Sequence, residues 1–88
     1  MDEDQERRRK IILKVVGNQI RDNDPPETRQ TLRRLIKEGF SREEAVELIG
    51  TVVVHEIYNV LKQEEYFDRK RFVAALEQLP KLPYDEDS

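Results

Sequence analysis

The sequence predicts an all-α domain, a compact array of about four helices with a long central third helix. Three observations carry this. Apolar residues recur at helical spacing in four successive stretches. Helix-starting and helix-stopping residues punctuate those stretches. The connections between them are short, so neighbouring helices must pack closely.

The first helix is expected from about Asp4 to Asn23, with Ile11, Ile12, Val15, Val16 and Ile20 on one face. Gly17 weakens it by about 1 kcal/mol relative to alanine. Asp22-Asn23-Asp24-Pro25-Pro26 stops it, because a residue before proline is pushed out of the α region. The second helix follows at once, with Asp24 as its N-cap, Pro25 at its first position and Glu27 three residues after the cap. Thr28, Leu32, Leu35 and Ile36 form its apolar stripe, and Gly39 suits a left-handed C-terminal cap.

Ser41-Arg42-Glu43-Glu44 reads as a capping box that opens the third helix, with Phe40 and Ala45 as a hydrophobic staple. Val52-Val53-Val54 favours a strand locally. The helical period of Ala45, Leu48, Ile49, Val52, Val53, Ile57, Val60 and Leu61 overrides it and carries the helix to about Gln63. Leu48, Ile49, Val52 and Val53 are its expected most buried segment. The fourth helix starts at the N-cap Asp68, with Phe67 before it and Phe72, Val73, Leu76 and Leu79 facing inward; Pro80 and Pro83 end it.

Eighty-eight residues, 36% hydrophobic and 40% charged, make a single helical domain over 1–88, ordered from about 5 to 80, with residues 81–88 read as an unstructured tail. Asp2, Glu3 and Asp4 at one end and Asp85, Glu86 and Asp87 at the other are read as solubilising acidic tails. They turn a body of about +3 into a net charge of -3. The absence of cysteine excludes disulfide scaffolds and thiolate metal sites, and one histidine excludes a multi-histidine site. Neither a signal peptide nor a membrane-length apolar run is visible, so the expected location is cytoplasmic, without membrane contact. No phosphate loop, GxSxG or HExxH motif supports catalysis, so neither an enzyme nor a cofactor is expected.

Several polar residues fall where chemistry is conceivable. Gln19 lies within the apolar stripe of the first helix and Glu56 within that of the third. Buried, each needs a partner, so they read as a polar pair joining the two helices or as the lining of a pocket. Glu43 and Glu47 share a face, with His55 two turns further on, a minimal carboxylate–histidine metal set set against an ordinary solvated face. Arg29, Arg33 and Lys37 recur every four residues with Arg34 beside them, and Arg7-Arg8-Arg9-Lys10 and Arg69-Lys70-Arg71 are further basic clusters. A nucleic-acid-associated regulator would use such faces. Against it, acidic residues interrupt them, and Glu43-Glu44-Ala45-Val46-Glu47 would set carboxylates against phosphates.

Two resemblances follow from these residues. Leu35-Ile36-Lys37-Glu38-Gly39-Phe40-Ser41-Arg42-Glu43-Glu44-Ala45 resembles the first helix, loop and second helix of a ubiquitin-associated domain, which implies Gly39 and Phe40 as a contact; the long third helix departs from that family. Val15 to Pro80 resembles a bacterial family of small all-helical domains of unknown function. The shared features are Gln19, the Asp22–Pro26 turn, the Gly39-Phe40 turn, Tyr58 in a long helix, and Phe67-Asp68-Arg69-Lys70-Arg71-Phe72. That resemblance implies histidines on the first helix and at the position of Glu47, where this chain has Arg9, Leu13 and glutamate. It implies no activity.

A domain of this size is marginal and often gains stability by association. The third helix carries apolar residues around more than half its circumference. The expectation is therefore a protein-interaction or self-association module, with itself as a homodimer or another protein as partner, and Tyr58, Tyr66 and Phe67 on the interaction surface.

Overall fold

A computed structural model describes residues 2–83. It contains α1 (Asp2–Asp22), α2 (Pro26–Lys37), α3 (Arg42–Gln63) and α4 (Arg69–Gln78), and no strand among the described residues. α2 and α3 touch each other, and α1 and α4 each pack against both. The core joins Val16 of α1, Leu32 and Leu35 of α2, Ala45, Ile49, Val52 and Val53 of α3, and Phe72, Leu76 and Leu79 from α4 and its end. No helix among the described residues is long and apolar enough to cross a membrane.

α1 begins at Asp2, two residues before the expected start. Acidic residues in a first turn complement the positive end of the helix dipole, so Glu3 and Asp4 favour this longer helix. Asn23 ends it in the left-handed region at φ 53°. There the Asn23 N–H donates to Ile20 and the Asp24 N–H to Gln19, two crossed bonds that satisfy the last carbonyls. α2 closes the same way: Gly39 sits at φ 113°, and the Gly39 and Phe40 N–H groups donate to Ile36 and Leu35.

The N-cap of α2 is Pro25, not Asp24, and it has no side-chain cap bond. Pro25 itself precedes a proline, so it is held extended at ψ 150° and the helix cannot begin before Pro26. The α3 cap is as expected. The Glu44 N–H donates to the Ser41 hydroxyl at 3.0 Å, and the Ser41 N–H donates to the Glu44 carboxylate at 2.8 Å. Ser41→Ala should cost about 0.5–2 kcal/mol in chemical denaturation with an unchanged helical spectrum; a neutral substitution would show the box to be redundant. Asp68 caps α4 by accepting from the Arg71 N–H at 3.0 Å, and Phe67 packs against Phe72 with ring centroids 5.6 Å apart and planes tilted by 55°, a staple around that cap.

Several residues expected inside lie further out. Ile11, Ile36, Ile57 and Leu61 are exposed, and Leu48 is only half-buried. α2 turns Thr28, Thr31, Leu32 and Leu35 inward, so Thr31 takes the place given to Ile36. On α3, Gly50 is buried where α1 crosses closely: a Cβ there would meet Ile12 Cγ2 at 3.1 Å and Val16 Cγ2 at 4.0 Å. That crossing covers the Ile49–Gly50–Val53 side of the helix and leaves Leu48 at its edge. Of the expected unstructured tail at 81–88, residues 84–88 lie outside the described residues. Leu82 packs half-buried against the core, so the chain keeps contact past residue 80.

Candidate functional site

Glu56 is 4% exposed on an otherwise apolar face of α3. Its carboxylate is fully engaged. Arg71 grips both oxygens, Nε on Oε1 at 2.9 Å and Nη2 on Oε2 at 2.8 Å, and the Asp68 N–H donates to Oε2 at 3.2 Å. Arg71 Nη1 also donates to Glu65 at 3.1 Å. A two-pronged guanidinium–carboxylate pair of this kind fixes orientation as well as charge. It ties the start of α4 and the preceding connection to the middle of α3.

Gln19 and Glu56 line one cavity but do not bond each other, so the expected pair is corrected. The Gln19 carbonyl accepts from the Thr28 hydroxyl at 2.9 Å instead. The sequence separation explains the error: Arg71 reaches Glu56 from fifteen residues downstream, across a connection whose path the helical pattern does not specify.

The Arg71 hydrogen bonds hold the Glu56 carboxyl below the usual glutamate range, against the opposing effect of burial. A depressed folded-state pKa stabilises the protein above the unfolded pKa of roughly 4.3, and that contribution disappears as pH falls through the folded value. Glu56→Gln should therefore be less stable than the wild type at pH 7, and the gap should narrow on acidification below about pH 4.5. Melting temperatures of both proteins across this range check it; a gap independent of pH would contradict an ionised Glu56. With three hydrogen bonds on its two oxygens and its charge stabilised, this carboxylate is a poor proton acceptor.

The candidate metal residues are not brought together. Glu47 is paired with Arg9 on the α1 side, whereas His55 lies in a cleft of about 390 Å³ between α3 and α4, with Nδ1 3.3 Å from Asn59 Nδ2. Glu43 is exposed. No group of three or more histidine or carboxylate residues suited to a metal exists among the described residues.

The basic set on α2 divides. Arg29 donates through Nε and Nη2 to the Ile20 carbonyl, at 3.2 and 2.6 Å, and so caps the end of α1. Arg34 donates to the Leu76 carbonyl in the last turn of α4 at 3.1 Å and to Glu38 at 2.9 Å. These two arginines serve helix ends, where the dipole favours a cation. Arg33 and Lys37 remain exposed.

The surface that stands apart is apolar. Val54, Ile57, Tyr58 and Leu61 follow one another at helical spacing on α3, and all four are exposed, Leu61 at 73%. Lys62 lies over the Tyr58 ring at 5.5 Å. Ile57 and Leu61 join Val15 and Phe67 in an apolar cavity of about 330 Å³ that also holds Gln19 and Glu56. Val54 belongs to a second groove of about 340 Å³ between α1 and α3, floored by Ile12, Leu13 and Gly50, with Arg8 on its lining. Tyr58 and Phe67 thus sit on or beside this surface as expected. Tyr66, 94% exposed, projects from the α3–α4 connection. The exposure of Ile57 and Leu61, which helical spacing placed inward, is the part that sequence reasoning missed. The signal available was the shortness of α2 and α4, twelve and ten residues against twenty-two in α3.

Comparison with family models, with curated proteins and with solved structures yields no match for this chain.

Proposed function

We propose that this chain is a helical self-association module whose docking surface is the exposed face of the second half of α3. One observation carries the reading. Four large apolar side chains, Val54, Ile57, Tyr58 and Leu61, stand exposed in succession on a protein that is 40% charged. Exposed apolar surface beyond a few hundred Å² marks an interaction site on a small protein. Closure by a twofold axis is the commonest way to cover it. The nucleic-acid alternative has less behind it, because Arg29 and Arg34 are spent on main-chain carbonyls.

Leu61→Glu tests the reading. Leu61 contributes little to the core, so the variant should keep the wild-type helical spectrum and melting behaviour of the monomer. Sedimentation should show it monomeric at concentrations where the wild type is dimeric. Undiminished association of Leu61→Glu would remove this face from the interface.

A further inference from the structure

The self-association reading leaves open how two copies meet, and the register of α3 narrows the choice. Thr51, Val54, Tyr58 and Leu61 succeed one another at steps of three, four and three residues, the alternation that forms a continuous seam between packed helices. Reversing the helix about the point midway between Val54 and Tyr58 brings Val54 onto Tyr58 and Thr51 onto Leu61. A row that superposes on itself in this way suits an interface in which both copies use the same patch.

We infer that two copies of this chain pack α3 against α3 antiparallel, about a twofold axis between Val54 and Tyr58, with Leu61 of each seated in the groove beside Gly50 of the other. This rests on the self-association reading. The shapes fit the register. Leu61 is the most exposed aliphatic side chain on the face, and the groove around Gly50, Thr51 and Val54 lies where the reversed helix would deliver it. Gly50, with Ile12 packed close against it, lets α1 lie low on α3, and Leu13, Thr51 and Val54 line the groove beside them. A parallel pair would set Leu61 against Leu61 and leave both grooves unfilled.

Charge and area agree. In the antiparallel register Glu64, at the end of α3, comes level with the part of α1 that carries Arg8 in the facing copy. Within one protomer neither Arg8 nor Glu64 is ion-paired among the described residues. Val54, Ile57, Tyr58, Leu61 and Phe67 are each 45–73% exposed. Taking about 200 Å² for a large side chain, half of five gives on the order of 500 Å². That is the larger part of the about 800 Å² per partner that a stable interface covers.

The chain has no cysteine, so introduced ones are unique. Thr51→Cys and Leu61→Cys are made separately and oxidised mildly, alone and mixed. In the antiparallel register a residue and its own copy are offset by about 15 Å along the helices. That is beyond the roughly 7 Å Cα separation a disulfide spans. The expected result is a cross-linked dimer in the mixture and none in either variant alone. Cross-linking of each variant with itself would overturn the orientation. A wild type that sediments as a dimer while no cysteine combination cross-links would overturn the interface and leave self-association standing; a wild type that sediments as a monomer would remove the reading beneath it. Arg8→Glu and Glu64→Lys supply a second arm that leaves Leu61 intact. Each alone should weaken dimerisation about 2–10-fold, and the double variant should restore it; no restoration would overturn the charge pairing that fixes the register.

Discussion

Phe72→Ala is expected to cost about 3–5 kcal/mol and to release α4 from the domain. Phe72 is 2% exposed and packs against Phe67 in a tilted pair, and it forms part of the wall of the cleft beside His55 and of the apolar cavity beside Gln19. Its removal would merge two spaces that the fold keeps apart. α4 is only ten residues long and buries Phe72 and Leu76, with Leu79 just beyond its end. It cannot stand alone, because isolated helices of that length are marginal in water. A chain of this size has roughly 4–13 kcal/mol of stability in all, so the loss reaches the scale of the whole. Urea unfolding followed by circular dichroism checks this. A loss below about 1.5 kcal/mol would mean that α4 is held by the Glu56–Arg71 pair and not by its apolar face.

Ile49→Ala comes next, at about 2–5 kcal/mol. Ile49 is fully buried in the first half of α3, one residue before the α1 crossing at Gly50, in a close-packed core. The adjacent Leu48→Ala supplies the control. Leu48 is half-buried, so its truncation should cost clearly less than that of Ile49. Equal losses at the two positions, measured in the same urea titrations, would show that the orientation of α3 in the core is wrong.

That contrast shows where the sequence was legible. Helical spacing marks both Leu48 and Ile49 as apolar, but the crossing of α1 over Gly50 decides which is enclosed, and a crossing angle is not written in one helix's pattern. Ile11 and Ile36 were misplaced for the same reason. Local signals did better. The Ser41–Glu44 box, the Gly39 turn, and Asp68 with its Phe67–Phe72 staple are short-range devices whose partners lie within a few residues. Glu56 stands between these cases. Its burial follows from its place on the helix, while its partner Arg71 comes from a separate element. The exposed face of α3 was half legible. Too much apolar surface for the neighbours to cover could be read from the chain, but which residues stay uncovered depends on where α1 and the α3–α4 connection run.

The central claim, that this face brings two copies together, is tested most directly by sedimentation of the wild-type protein over a concentration series reaching tens of micromolar. The account predicts a mass rising with concentration from 10.5 kDa to twice that value and no further, as mass action on a closed twofold dimer requires. A constant 10.5 kDa across the whole series would contradict it.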